Sequence, residues 1–176
     1  MTLVDEAIIF ATQAHSGKFR KGTTIPYIFH PMEAAAIVAS MTDDLEIIAA
    51  AVLHDTVEDA HKSVDEIAKK FGQRVAELVS SESENKREDL PAADTWTIRK
   101  TETIDALKAE QDIAVKMVTL GDKLSNIRAI YRDQLTLGDQ LWERFNQHVP
   151  KMHAWYYRAI ADVTSELKQF PAWQEY

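Results

Sequence analysis

A long apolar run followed at once by a polar cluster constrains this chain most. The run covers residues 45–53, and five of the next six residues are polar or charged. If the run is a helix, His54 and Glu58 lie on one face. Asp55 and Asp59 are likewise one turn apart. Three carboxylates and an imidazole at a buried helix end would repel and desolvate one another, and a cation would remove that cost. The stretch predicts a metal site; a solvated acidic helix end is the alternative.

Length and composition indicate a single domain, residues 1–176, without disulfides. Cysteine is absent, so any metal must be bound through nitrogen and oxygen, and the composition suits a reducing cytoplasm. We find no signal peptide, and no apolar run approaches the ~20 residues of a membrane span. We therefore expect a cytoplasmic protein without a membrane partner, and its oligomeric state, including a homo-oligomer, stays open.

The charge balance argues against nucleic acid as a partner. The net charge is −8, which disfavours general binding to polyanionic surfaces. One local exception is basic: Lys18, Arg20 and Lys21 fall within four positions. This cluster indicates either a solvated loop or a docking point for a small anionic ligand.

Apolar residues recur at helical spacing along the whole chain, and the five Gly and five Pro fall between the periodic segments. We therefore expect an all-α bundle of about eight to nine helices. The predicted helices cover 3–15, 31–41, 43–60, 63–72 with its caps, 73–82, 94–109, 112–131, 139–147 and 150–168. Pro31 should open the second helix, and Asp94 or Thr95 should cap the sixth. Residues 16–30 and 83–93 should be irregular.

Two further polar residues occupy unusual places. His30 ends an apolar segment, and Asp122 follows a nearly continuous apolar run with Asn126 one turn later. Taken singly, His30 is more simply a hydrogen-bonded core residue, and Asp122 a surface partner of Lys123 or Arg128. His30 and Asp122, taken together with His54 and Asp55, offer two nitrogen donors and two carboxylates from three helix ends.

This set of donors leaves open positions on an octahedral divalent ion for water and substrate oxygens. Without thiolates it leans toward Mn²⁺, Fe²⁺ or Mg²⁺ rather than structural zinc, and Co²⁺ also remains open.

The combination of His30, His54, Asp55 and Asp122 resembles the metal-binding signature of the HD phosphohydrolase superfamily. Three segments narrow the resemblance: Arg20-Lys21-Gly22-x3-Pro26-Tyr27-Ile28-x-His30-Pro31, His54-Asp55-x2-Glu58-Asp59 and Asp122-Lys123-Leu124-Ser125-Asn126. They are similar, in order and spacing, to the hydrolase domain of RelA/SpoT-type alarmone enzymes. The similarity covers roughly residues 1–131, with a motif core at about 15–131, and weakens over the C-terminal helices at 139–168.

The resemblance implies a single helical HD domain that binds one Mn²⁺ ion. It implies hydrolysis of the 3′-diphosphate of guanosine tetra- or pentaphosphate to GDP or GTP and pyrophosphate. Because the chain ends at Tyr176, we expect a small stand-alone hydrolase without the synthetase domain of the long enzymes. By resemblance, the metal ligands would be His30, His54, Asp55 and Asp122.

The resemblance also assigns the remaining roles. Glu58 and Asp59 would position or activate the attacking water, and Arg20 and Lys21 would line the nucleotide pocket. Asn126 would contact the ribose. Lys100, at the start of the sixth helix, is the candidate for the diphosphate. Two alternatives remain: an HD phosphohydrolase acting on a nucleoside monophosphate or on NADPH, and a metal-bound regulatory module without turnover.

Overall fold

Helices account for almost all regular structure in the described part of the chain, residues 1–87 and 89–176 of the computed structural model. The α-helices, α1 to α9 in order, are Leu3–Ala14, Phe29–Ala39, Leu45–Glu58, Val64–Phe71, Gln73–Glu82, Ala92–Ala109, Ile113–Leu137, Pro150–Val163 and Pro171–Glu175. Two 3-10 segments, Gly138–Arg144 and Ser165–Leu167, join the last helices. One isolated antiparallel bridge links Phe19 and Pro26. The predicted all-α fold is confirmed.

Side-chain caps explain where several helices begin. The Thr2 hydroxyl accepts a hydrogen bond from the Asp5 amide, and the Asp5 carboxylate accepts one from the Thr2 amide, which completes a capping box for α1. The Asp44 carboxylate caps α3 by accepting from the Glu46 amide, and the Asp112 carboxylate caps α7 by accepting from the Ala114 amide. Ser63 caps α4, as its sequence pattern predicts. Each cap satisfies a backbone N–H group that the first helical turn leaves without an intrahelical acceptor.

Two predicted helix starts are wrong. The second helix begins at Phe29 rather than at Pro31, because a proline in the first turn removes an N–H group that has no intrahelical acceptor anyway. The sixth helix begins at Ala92 after Pro91, and neither Asp94 nor Thr95 caps it. Proline at that position fixes an extended backbone that leads into the helix. The irregular segment 83–93 is therefore two residues shorter than predicted, and Glu88 within it lies outside the described residues.

The predicted C-terminal boundaries also change. Helix α7 continues six residues beyond position 131, to Leu137, and Gly138 with φ +57° ends it. The predicted helix 139–147 is the 3-10 segment Gly138–Arg144. The last predicted helix stops at Val163, and a further short helix, Pro171–Glu175, was not predicted.

Helix α3 forms the centre of the bundle and packs against α1, α2, α5 and α7. Its residues 49–53 are fully buried, and three of them are alanines. Small side chains on every face let four neighbouring helices approach one helix closely. The apolar run that ends at His54 is therefore the central core helix.

The contact between α2 and α7 depends on Gly121. A β-carbon at this position would lie 2.6 Å from Val38 Cγ2 and 2.8 Å from the Ala34 carbonyl oxygen. The second atom belongs to the backbone and cannot rotate away. Glycine therefore sets the spacing of α2 and α7 one residue before Asp122.

Within the described residues, none of the helices combines the length and the apolar character that crossing a membrane requires.

We expect Gly121→Ala to lower the free energy of unfolding by roughly 1–3 kcal/mol, because the added methyl group forces α2 and α7 apart. In an unconstrained helix the same change would be stabilising by up to about 1 kcal/mol. Chemical denaturation followed by circular dichroism measures the difference. A gain in stability would contradict this account of the α2–α7 contact.

Candidate metal centre and adjoining pocket

Three helices bring the four predicted metal ligands together in the interior. His30 lies in the first turn of α2, His54 and Asp55 lie in the last turns of α3, and Asp122 lies in the middle of α7. Both imidazoles and the α7 carboxylate are buried, with exposed fractions of 4%, 2% and 5%. The apolar helix α3 therefore ends on buried polar groups, as the sequence predicted.

The ligand atoms converge on one point. The two imidazole Nε2 atoms lie 3.3 Å apart. Asp122 Oδ1 lies 3.1 Å from His30 Nε2 and 3.6 Å from His54 Nε2. Asp55 Oδ2 lies 3.4 Å and 3.1 Å from the same two nitrogens. His30, His54 and Asp122 form a group whose ligand atoms all lie within 4.8 Å of one another, and Asp55 adjoins both histidines.

Hydrogen bonds on the far side of each ring fix its tautomer. His54 Nδ1 lies 2.8 Å from the Ala51 carbonyl oxygen, so Nδ1 carries the proton. The Ser125 hydroxyl donates to Glu33 Oε2 at 2.8 Å and therefore accepts from His30 Nδ1 at 2.9 Å. In the neutral forms both Nε2 atoms present lone pairs to the centre, as metal-binding histidines do.

Two imidazole lone pairs and two carboxylates therefore face each other in a buried space, where like polarity is costly. A divalent cation bound to all four would replace this repulsion with attraction. The donors are nitrogen and oxygen only, which fits a borderline or hard divalent ion. The chemistry of the donor set thus fits the predicted metal.

Further contacts hold the Asp122 carboxylate in its charged form. Burial alone would raise its pKa, but the neighbouring Lys123 ammonium keeps the pKa of Asp122 well below its usual range. Lys123 Nζ donates to Oδ2, and the Asn126 side-chain amide donates to Oδ1 at 2.6 Å. These contacts therefore orient the carboxylate and keep it ionised.

A family model for the HD domain matches residues 7–148, most of the chain. The chain belongs to the HD domain family. Among curated relatives, the GTP pyrophosphokinase rsh of Brucella ovis is 35% identical over 131 residues, which cover 73% of this chain but 17% of the relative. The guanosine-3′,5′-bis(diphosphate) 3′-pyrophosphohydrolase of Vibrio cholerae is 36% identical over 128 residues, covering 71% of this chain and 17% of that protein. The HD domain thus spans less than a fifth of these relatives.

Solved structures show the same fold. A metazoan ortholog of SpoT, which is described as hydrolysing ppGpp, superposes with a TM-score of 0.72 at 22% identity, over 93% of this chain and 86% of that one. A crystal structure from Listeria monocytogenes gives a TM-score of 0.71 at 29% identity, over 83% of this chain and 92% of that one. These similarities establish the helical HD architecture.

A cavity of about 360 Å³ adjoins the candidate metal centre of this HD domain. His30 and Asn126 lie in its wall, so it reaches the candidate ligands. Arg20 and Lys21 also lie in its wall, and their role in nucleotide binding stays a prediction. Arg20 Nη2 donates to Asn126 Oδ1 at 2.7 Å. One hydrogen-bonded chain therefore runs from the basic loop through Asn126 to the Asp122 carboxylate.

The predicted water-activating pair lies at the end of α3. Both Glu58 and Asp59 contact Lys86, whose ammonium lies 3.3 Å from Glu58 Oε1 and 2.6 Å from Asp59 Oδ1. The Glu84 amide donates to Glu58 Oε2 at 3.1 Å. The Tyr27 hydroxyl lies 2.7 Å from Asp55 Oδ2 and 2.9 Å from Asp59 Oδ2, and it can donate its single proton to one of them at a time.

The environment of Glu58 favours proton uptake. Burial raises its pKa above the usual glutamate value, while the Glu84 amide and the Lys86 ammonium act in the opposite direction. A carboxylate with a raised pKa is a better base once it is ionised. The roles of Glu58 and Asp59 in catalysis stay predictions.

Lys100 lies apart from this cavity, whose lining does not include it. Its ammonium pairs with Glu84 at 2.7 Å and lies 4.9 Å from the centre of the Tyr156 ring. Burial lowers its pKa. In this arrangement Lys100 could contact a diphosphate in the cavity only if Glu84 were displaced. Its role in binding the diphosphate stays a prediction.

Three residues around the site, Ser125, Tyr27 and Lys86, were not singled out from the sequence, and a fourth, Lys18, makes a contact that the sequence did not predict. Ser125 and Tyr27 lie inside the motif segments, so their positions were available but their partners were not. Lys86 lies in an irregular charged segment that has no periodicity. Lys18, which belongs to the predicted basic cluster, donates through Nζ to the Asp59 carbonyl oxygen at the C-terminus of α3. A cation there also interacts favourably with the helix dipole.

We expect Ser125→Ala to weaken divalent-metal binding about 10–100-fold while leaving every ligand in place, because the His30 ring loses the acceptor that fixes its tautomer. Titration calorimetry with Mn²⁺ measures the affinity. Ser80→Ala, an exposed serine on α5, serves as the matched control and should bind Mn²⁺ like the wild type. Equal affinities for the two variants would refute a role for the Glu33–Ser125–His30 chain.

Proposed function

We propose that this HD domain is a metal-dependent hydrolase that removes the 3′-diphosphate from guanosine tetra- or pentaphosphate, yielding GDP or GTP and pyrophosphate. The observation that carries the proposal is the connection between a basic nucleotide-sized cavity and a buried centre of two histidines and two aspartates. Arg20 links the two through Asn126. A polyanionic phosphate ester needs both features at adjoining positions.

The relatives add independent support. Curated relatives from Aquifex aeolicus and Vibrio cholerae carry the name guanosine-3′,5′-bis(diphosphate) 3′-pyrophosphohydrolase and are 34% and 36% identical over the matched region. Because this chain covers 18% and 17% of those proteins, their activity comes to this chain as a proposal.

His30, His54, Asp55 and Asp122 would hold the ion, for which Mn²⁺ is the expected occupant. A bound divalent ion supplies a lowered water pKa and neutralises charge on the phosphate. Arg20, by stacking on the planar base, and Lys21, as a point charge, would orient the nucleotide. Asn126 would orient the ribose side of the substrate.

Glu58 or Asp59 would accept a proton from the attacking water. The water oxygen bonds to the phosphorus attached to the ribose 3′ oxygen, and the bond between that phosphorus and the 3′ oxygen breaks. The 3′ oxygen takes up a proton, and pyrophosphate leaves. Lys86 and Tyr27 would keep both carboxylates oriented during the transfer.

The same proposal includes a single domain over residues 1–176 that acts in the cytoplasm on a small anionic nucleotide. The net charge of −8 supports a small ligand over nucleic acid, because a long polyanion would meet the acidic surface as well as the pocket.

The first test is turnover. Purified protein with Mn²⁺ should release pyrophosphate from guanosine tetraphosphate, whereas chelation of the metal should stop the reaction. Nucleoside monophosphates and NADPH are assayed in parallel by release of inorganic phosphate. Turnover of either of these, with none of guanosine tetraphosphate, would overturn the proposed substrate, and no turnover of any would favour a non-catalytic module.

Two substitutions should separate metal binding from chemistry. Asp55→Ala should abolish both Mn²⁺ binding and turnover, since it removes a ligand. Glu58→Gln should keep Mn²⁺ affinity and lower kcat about 10²–10⁴-fold, the usual contribution of a general base. Calorimetry and initial rates measure the two quantities. A fully active Glu58→Gln variant would shift the role of the base to Asp59.

The dependence of the rate on pH should respond to Lys86. A general base acts when deprotonated, so activity is lost as the pH falls through its pKa. Lys86 lowers the pKa of Glu58, so Lys86→Met should raise that pKa and move the acid limb of kcat/KM to higher pH. Lys69→Met, on the exposed surface of α4, is the matched control. An unmoved acid limb in Lys86→Met would show that Glu58 is not the titrating base.

A further inference from the structure

The segment after α7 supplies a second wall of the cavity, outside the motifs that carry the family resemblance. Arg144 and Phe145 line the cavity together with the basic loop. Arg144 ends the 3-10 segment Gly138–Arg144, which packs against α7. This wall has no counterpart among the sequence-predicted site residues.

Arg144 lies directly on the basic loop. A β-carbon at Gly22 would lie 2.7 Å from both Cδ and Nε of Arg144 and 3.0 Å from its Cγ. The stem of the arginine therefore covers the α-carbon of the residue that follows Arg20 and Lys21. Gly22 also has φ +71°, a conformation that L-residues with side chains rarely adopt. Glycine is thus required here twice, once for the turn and once for the contact.

An ion pair holds Arg144 in this place. Its Nη1 lies 2.6 Å from Asp133 Oδ2, near the end of α7. Because both ends of the stem are fixed, by the backbone and by the carboxylate, Arg144 cannot swing aside without breaking the pair. A second, longer contact joins the basic loop to the segment around Arg144: Lys21 Nζ lies 3.5 Å from Asn146 Oδ1.

The loop is therefore supported from two sides. On the α7 side Arg20 donates to Asn126, and on the C-terminal side Arg144 covers Gly22. The turn itself is closed by the Thr23 amide, which donates to the Arg20 carbonyl oxygen at 3.0 Å. Side chains that must meet a base and a phosphate gain affinity when they are held in place before binding.

We propose that Arg144 is a positioning residue for the nucleotide pocket: anchored by Asp133, its stem seats on Gly22 and fixes the Arg20–Lys21 turn. This inference rests on the proposed function, because it assigns that turn to nucleotide binding. It predicts that the effect of Arg144 falls on substrate affinity and leaves the hydrolytic step nearly unchanged.

Five variants of the full chain test it, with KM and kcat for guanosine tetraphosphate and the thermal midpoint as readouts. Arg144→Ala should raise KM about tenfold, equivalent to about 1.4 kcal/mol, and change kcat by less than about twofold. Arg144→Lys keeps the stem and the charge and should stay within about twofold of the wild-type KM. Gly22→Ala should also raise KM.

Gly17→Ala is the matched control for Gly22→Ala. Gly17 belongs to the same connection and has φ +74°, but a β-carbon there would meet no atom within 4 Å. Both variants carry the strain of a left-handed conformation, and the clash with Arg144 belongs to Gly22→Ala alone. Gly17→Ala should therefore keep the wild-type KM.

The double variant Gly22→Ala/Arg144→Ala measures the contact itself. Removing the arginine stem makes room for the methyl group, so the double variant should have a KM no higher than that of Arg144→Ala, and its thermal midpoint should exceed the value expected from adding the two single losses. Additive effects on both readouts would overturn the proposal, as would a KM in Arg144→Ala within twofold of the wild type.

Two outcomes need separate readings. If Arg144→Ala fails to fold, the difference in KM between Gly22→Ala and Gly17→Ala decides, and equal values overturn the proposal. If the wild type does not hydrolyse guanosine tetraphosphate, the proposed function fails, and the Kd for GDP by calorimetry replaces KM across the same variants. A wild type that also does not bind GDP would overturn the role of Arg144 as well.

Discussion

Four electron-rich atoms meet in the middle of a helical bundle, and many of the surrounding contacts position or charge the groups that carry them. The Nε2 atoms of His30 and His54 face each other with carboxylate oxygens on both sides. Such a group is costly in a dry interior unless a cation is bound. Ser125 accepts from His30 Nδ1, which leaves the lone pair of His30 Nε2 directed at the centre, and Lys123 donates to Asp122, which keeps that carboxylate ionised. The packing of α2, α3 and α7 thus sets the positions of the candidate ligands.

Close helix packing makes that convergence available. Helix α3 has three consecutive buried alanines, residues 49–51, where it meets its neighbours, and Gly121 lets α7 approach α2 until a carbonyl of one lies against the α-carbon of the other. A methyl group at that contact would push Asp122 outward. The small residues bring the helices together, and the candidate metal ligands occupy the positions where the helices meet.

The sequence was enough to predict the helices, which depend on periodicity, and the candidate site residues, which are polar residues at the ends of apolar runs. His30, His54, Asp55 and Asp122 were each recognisable because they interrupt an apolar segment, and the structure brings them together; their role as ligands stays a prediction. Helix ends were less predictable: α7 runs on to Leu137 because only Gly138 breaks it. The hydrogen bonds from Tyr27 and Lys86 to the α3 carboxylates could not be predicted. Each joins segments about 30 residues apart, and no local pattern encodes such a partner.

Charge pairing explains how an acidic protein can offer a pocket to a polyanion. The cavity contains three carboxylates, and each already contacts a cation: Glu33 with Arg128, Asp59 with Lys86 and Asp133 with Arg144. Among the described residues, Arg20 and Lys21 instead donate to the neutral amides of asparagines 126 and 146. Their charge therefore stays available to a ligand even though the whole chain carries −8. Because Arg144 neutralises one of the acids and also covers Gly22, it lowers the repulsion that a phosphate would meet and fixes the loop that would bind it.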